Sequence, residues 1–163
     1  MKSVKIRDTI IGNGAKIAIQ SMLNVPTTDT GAAIDCILRL ADEGCDIIRL
    51  AVPDAAAARA MKEITAASPI PVVADIHFDY RLALACIDNG VDKIRINPGN
   101  LGGADKAAAV AKAANAAKIP IRIGINGGSL EKGLLERCGG DLALAMVESA
   151  QGHIDILNRC DFN

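Results

Sequence analysis

Runs rich in Ile and Val begin at residues 16, 46, 71, 93 and 120, and an Ala-rich stretch of helical periodicity follows each one. A recurrence of roughly 26 residues is the signature of a βα repeat. The strand-like runs cover 16–22, 46–52, 71–76, 93–97 and 120–126, and the helix-like stretches cover 31–43, 54–67, 80–88, 104–117 and 141–159. In the first helical stretch Ile34, Ile37, Leu38 and Ala41 share one face. Gly44 and Gly90 each stand between a helical stretch and the next strand, where a left-handed cap is required. Continuous apolar strands joined by helical crossovers predict a parallel sheet covered by helices. The 28 Ala and 21 Ile suit that division, Ala on helices and Ile on strands. Ahead of the repeat, residues 4–11 alternate and Gly12-Asn13-Gly14 follows. Asn-Gly between alternating runs predicts a hairpin, an antiparallel lead-in that plugs or borders the sheet.

Composition excludes several classes of function. A net charge of −1 with two Phe, one Tyr and no Trp supplies neither the basic field nor the stacking platforms of a general nucleic-acid binder. No apolar run approaches the roughly 20 residues of a membrane span. The first residues alternate polar and apolar rather than forming a secretory signal, so a cytoplasmic location is the default expectation. Five cysteines, at 36, 45, 86, 138 and 160, make neither a disulfide framework nor a metal knuckle. Cys36, Cys45 and Cys86 read as small apolar residues in helices.

Repeated βα units build either an open doubly wound sheet or a closed (β/α)8 barrel. The first strand is followed by Ser21-Met22-Leu23-Asn24-Val25-Pro26, not by the Gly-rich turn of a dinucleotide fold. Polar residues instead recur at the C-terminal ends of successive strands, where a barrel has its mouth. They are Gln20, Arg49, Asp75 with His77, Arg95 with Asn97, and Arg122 with Asn126. Strand side chains alternate faces, so Asp75 and His77 point one way, as do Arg95 and Asn97, and Arg122 and Asn126 through Gly124. The intervening Ile76, Ile94, Ile96, Ile121, Ile123 and Ile125 then face the helices, and the polar set points into the barrel.

A guanidinium among isoleucines on a buried strand is costly unless an anion meets it, and here three strands each supply one. Asp75 is the one carboxylate that shares their face, so a multiply charged anion such as a diphosphate would complete the balance. The planar fork of Arg suits two-point contact with phosphate oxygens. Gly99, Gly102, Gly103, Gly127 and Gly128, before Ser129, offer backbone amides at or near helix N-termini. Asp75 has two open readings, balance for Arg49 or Arg95 and direct contact with substrate hydroxyls. His77 reads as a phosphate-side donor, because no second His or Cys lies at ligand spacing. His153, among Glu148 and Asp155, reads as a solvated surface residue, Asp79 as a helix N-cap. The roles of Asn24 and Thr27 to Asp29 in the first mouth loop stay open.

Five strings of this chain carry a family resemblance. They are residues 20–29, Arg49-Leu50-Ala51-Val52-Pro53, residues 73–81 around Asp75-Ile76-His77, Arg95-Ile96-Asn97-Pro98-Gly99-Asn100, and residues 122–131 from Arg122 to Glu131. Together and in order they resemble the 4-hydroxy-3-methylbut-2-enyl diphosphate synthase family, along the whole chain. The resemblance implies reductive ring opening of 2-C-methyl-D-erythritol 2,4-cyclodiphosphate with loss of water, in the methylerythritol phosphate route to isoprenoids. It further implies a [4Fe-4S] cluster, flavodoxin or ferredoxin as electron donor, and a homodimer. Position by position it makes Arg49, Arg95, Arg122 and His77 diphosphate ligands, and Asp75, Asn97 and Asn126 partners of substrate hydroxyls and phosphate edges. No residue of this chain is assigned a catalytic role.

The family continues through further barrel strands into a cluster domain with three Cys and a Glu ligand. The expectation for residues 1–163 is therefore an incomplete α/β chain of the (β/α)8 TIM-barrel type, about five βα units after an N-terminal β-hairpin. The cluster ligands are expected to lie outside it, and Cys138 and Cys160 lack their pattern. An eight-unit barrel needs roughly 200 residues or more. Isolated, the chain is expected to hold no cluster and to turn over no substrate. Two rivals stand beside this reading: another phospho-ligand barrel such as a pterin-binding synthase, and a truncated, non-catalytic anion binder.

Overall fold

A computed structural model describes residues 2–97 and 100–162. The chain opens with a two-stranded antiparallel ribbon, β1 (Val4–Ile6) and β2 (Thr9–Ile11), and enters the repeat at β3 (Gln20–Met22). Then follow α1 (Thr30–Asp42), β4 (Ile47–Ala51), α2 (Ala55–Ala67), β5 (Val72–Ile76), α3 (Tyr80–Asp88), β6 (Lys93–Ile96), α4 (Ala104–Ala117) and β7 (Ile121–Ile123). A 3-10 turn (Gly127–Ser129), a short α5 (Leu134–Arg137) and α6 (Leu142–Asn158) complete the described elements. The sequence reading contains no counterpart of α5; the other helices match their predicted stretches within one or two residues.

The five strands from β3 to β7 pair in parallel and in strict chain order, β3-β4-β5-β6-β7. An order that never reverses is that of a barrel wall rather than a doubly wound sheet. One face of the sheet carries Ile48, Leu50, Val52, Val72, Ala74, Ile76, Ile94 and Ile96, which join Ile37, Met61, Ile64, Cys86 and Val110 of the helices in one core. Burying an Ile or Leu side chain there stabilises the fold by about 1.5–3 kcal/mol. Helix starts are defined by the same residue type four times. Asp29, Asp54, Asp79 and Asp141 accept the amide protons of Ala32, Ala57, Arg81 and Leu144. Gly44 and Gly90 hold φ of +90° and +83° at the ends of α1 and α3.

On the opposite face Ile6 of β1 packs against Ile47 and Val73, so the ribbon covers the N-terminal end of the concave surface. Its turn is not at Asn13-Gly14, where the sequence places it, but at Arg7-Asp8, with Arg7 at φ +50°. Tertiary anchoring overrides turn propensity here. Arg7 donates from Nε and Nη2 to the two oxygens of Asp92 at 3.0 and 2.9 Å, and from Nη1 to the Ser68 carbonyl at 2.9 Å. Asp92 Oδ2 also accepts from the Val72 amide at 2.8 Å, which ties ribbon, β5 and the start of β6 to one carboxylate. Cys45 likewise departs from its predicted helix. It lies beyond α1, buried, with its Sγ directed at the carbonyl of Ile47. Among the described residues no helix is long and apolar enough to cross a membrane.

Asp92→Ala strands the Arg7 guanidinium and should lower the unfolding free energy by about 2–3 kcal/mol in urea denaturation. A loss below about 0.5 kcal/mol, the size of an ordinary surface change, would refute the anchoring role.

Candidate anion-binding site

Register places the candidate residues on one surface. Asp75 pairs with Arg95, and Arg95 with Arg122, so their side chains leave the same, inward face of neighbouring strands. Asp75 is the centre of the cluster, its side chain wholly removed from solvent. Its Oδ1 accepts from Arg95 Nη1 at 2.9 Å, while Oδ2 lies 3.1 Å from Arg49 Nη2 and 3.2 Å from His77 Nε2. The geometry shows ion pairs of Asp75 with both Arg49 and Arg95, as the first of its two readings expects. Both guanidiniums are mostly buried, and His77 is half exposed at the rim. The Nε of Arg49 is buried with no acceptor among the described residues. Arg122 is exposed, because β7 has a described neighbour on one side alone.

Gly124 explains how Arg95 fits. A Cβ at that position would stand 2.8 Å from the Arg95 Cζ, so the guanidinium occupies the space that any side chain would take. Beside the cluster, Ala51, Val52, Pro53, His77, Phe78 and Leu82 line a cleft of about 260 Å³ that reaches Asp75. Phe78 is largely exposed and meets the His77 ring edge-on, with centroids 6.0 Å apart. Asn97 is buried next along the Arg95 face. Asn126 stands past the end of β7 and accepts from the Gly128 amide at 3.1 Å, capping the 3-10 turn. Of the predicted glycine amides, Gly102 and Gly103 lead into α4, which has no side-chain cap, and Gly99 lies outside the described residues. Thr27 is buried and donates to the Ala51 carbonyl at 2.6 Å, a structural role in the mouth loop.

Lys93 is a candidate site residue that the sequence reading missed. It lies two residues before Arg95 on the same face, and it is buried. Burial, reinforced by the charge of Arg122, lowers its pKa. The period-two pattern Lys93, Arg95, Asn97 was the signal that could have found it. Four cations, Arg49, Lys93, Arg95 and Arg122, thus share a face with one described carboxylate.

His153 corrects another expectation. It is buried, not solvated, and its Nε2 bonds Glu131 Oε1 at the end of the loop after β7. Ala145, Ser149, His153 and Leu157 form the buried stripe of α6, at a spacing of four that was legible in the sequence.

The model of the GcpE TIM-barrel domain matches residues 1–163. The chain belongs to the GcpE TIM-barrel family. Two curated relatives are named 4-hydroxy-3-methylbut-2-en-1-yl diphosphate synthase (flavodoxin). One, from Ruminiclostridium cellulolyticum, is 52% identical over 162 residues, 99% of this chain and 46% of the relative. The other, from Idiomarina loihiensis, is 54% identical over 152 residues, 93% of this chain and 41% of the relative. The chain therefore spans about half the length of the curated relatives it matches. Among solved structures, dihydropteroate synthases from Stenotrophomonas maltophilia and Yersinia pestis both superpose with a TM-score of 0.64. They cover 100% and 99% of this chain, which covers 62% and 59% of theirs. At 16% and 10% identity they show a shared fold alone.

A buried ammonium ion without a carboxylate partner opposes folding. Lys93→Met should stabilise the ligand-free chain by about 1 kcal/mol at neutral pH, measured by chemical denaturation. The advantage should shrink as pH rises through the lowered pKa of Lys93, where the folded state sheds its proton before the unfolded state does. A variant less stable than wild type would show that Lys93 has an internal partner.

Proposed function

We propose that this chain is the substrate-binding barrel portion of a 4-hydroxy-3-methylbut-2-enyl diphosphate synthase. As such it binds 2-C-methyl-D-erythritol 2,4-cyclodiphosphate for reductive ring opening and loss of water. The observation that carries the reading is the excess of inward cations around Asp75, in a chain half identical to relatives of that name. A cyclic diphosphate supplies the missing negative charge in a compact form. Arg49 and Arg95, pre-aligned by Asp75, present guanidinium edges toward the mouth, and Arg122 on the same face completes a three-sided grip. Lys93 adds positive field from below. His77 at the rim donates to a phosphate oxygen, and the uncapped start of α4 offers amides to the second phosphate. Asn97 and Asn126 meet substrate hydroxyls or phosphate edges. Asp75 acts through the arginines.

The family's [4Fe-4S] cluster would supply the two electrons, with flavodoxin or ferredoxin as their source. The residues described here do not form its cradle. The five cysteines are dispersed, and no three His, Cys, Asp or Glu side chains among the described residues converge as metal ligands. The part of this barrel is to bind, orient and neutralise the substrate. The homodimer is proposed on the family resemblance alone.

Calorimetry on the full-length gene product tests the substrate. Cyclodiphosphate should bind, pterin monophosphate should not, and Arg95→Lys should weaken cyclodiphosphate binding about tenfold by replacing a two-point fork with a point charge. Preference for the pterin, or an unchanged affinity in Arg95→Lys, would overturn the assignment. For the purified 163-residue chain the expected iron content is nil and reductive turnover is absent. Stoichiometric iron with turnover would contradict the division of labour.

A further inference from the structure

The loop that follows β7 is held at both ends by polar side chains, and the hold at its far end has no place in the binding scheme above. At the near end Asn126 caps the 3-10 turn. At the far end Glu131 Oε1 accepts from Ser149 Oγ at 3.0 Å and pairs with His153 Nε2, both on α6. Burial alone would raise the Glu131 pKa, but its own amide, Ser149 and His153 together hold it below the usual carboxylate range. Between the two ends lie Gly127 and Gly128, the residues with the most backbone freedom to lose. Gly127 rests on α6: a Cβ there would meet Leu142 Cδ1 at 3.0 Å. Leu130 packs on Leu134, Cys138 and Ala145 beneath.

This arrangement is costly for a purely structural one. Ser149 and His153 occupy two of the four buried positions of α6, while Leu144, Val147 and Ile154 of the same helix are exposed. His153 Nδ1 and Glu131 Oε2 are buried without a partner among the described residues. An apolar stripe would bury α6 with no such orphaned atoms, so the polar stripe is explained by what it holds. Its object is the loop that carries Asn126 and the Gly127-Gly128 backbone to the mouth beside Arg122.

We propose that Glu131, Ser149 and His153 form a positioning device that fixes the loop after β7 in its substrate-binding conformation. The proposal rests on the reading of the mouth as a cyclodiphosphate site. None of the three touches the substrate; they act by removing the ordering cost of a glycine loop before binding. Their loss therefore weakens substrate binding and leaves the chemical step intact.

The test uses the full-length enzyme with reduced flavodoxin and measures KM and kcat for the cyclodiphosphate, with Arg95→Lys as the control for the site itself. Glu131→Ala should raise KM about tenfold with kcat within twofold of wild type. Glu131→Gln, which keeps an acceptor for Ser149, should restore KM to within threefold of wild type. Glu131→Ala combined with Ser149→Ala should be no worse than Glu131→Ala alone. A KM unchanged in Glu131→Ala while Arg95→Lys is impaired would overturn the positioning role and leave the site standing. An unimpaired Arg95→Lys would remove the site reading beneath it. Should Glu131→Ala fail to fold, Ser149→Ala carries the test. A KM raised threefold or more with kcat retained supports the proposal, and an unchanged KM, or a fall in kcat alone, overturns it.

Discussion

One buried carboxylate organises the concave face of this chain. Asp75 sits on the central strand of five, and its two oxygens divide between guanidiniums from the strands on either side. Burying a lone carboxylate or a lone guanidinium is costly; each is tolerable here because of the other. The pairing also sets geometry. With Asp75 holding Nη2 of Arg49 and Nη1 of Arg95, the long side chains lose their freedom before any ligand arrives. Gly124 extends the same logic to the next strand by leaving room for the Arg95 guanidinium.

That interaction settles two of four cations. Arg122 and Lys93 share the face without a described carboxylate to meet them, so the ligand-free chain carries an unbalanced positive field. Binding and stability pull in opposite directions at such a place: the residues that attract an anion are those that destabilise the empty protein. In the proposed reading, the cleft beside the cluster, with the exposed Phe78 at its rim, would take the organic body of the substrate while its phosphates meet the arginines.

Most of this was legible because β-strands have a strict period. Arg95 and Asn97, or Asp75 and His77, declare their common face by spacing alone, and the isoleucines between them declare the other. The helix starts were legible at Asp79 for a similar reason, since a short acidic side chain before an amphipathic run has one common use. What was not legible came from contacts distant in sequence. The Asn13-Gly14 signal was local and correct as a turn, but Arg7 is fixed by Asp92, 85 residues away, and the ribbon folds there instead. His153 looked solvated because its helix neighbours are acidic, whereas its partner Glu131 lies 22 residues upstream in a loop. Lys93 was passed over because a lysine at the start of a strand usually reaches water; here it is buried, opposite Val73 of β5.

The distribution of apolar surface on α6 and along the sheet edges follows from the same architecture. β3 and β7 each have one described neighbour, and the residues bordering them, Ile17 and Ile19 on one side, Ile123, Ile125, Val147 and Ile154 on the other, form apolar surface at both open edges. In a closed barrel every strand has two neighbours and every helix lies between two others, so both edges would be covered. On α6 the exposed Val147 and Ile154 lie along the same edge as Ile123 and Ile125. Its buried stripe sets the polar Ser149 and His153 between the apolar Ala145 and Leu157, so the helix gives up apolar burial only where Glu131 is held.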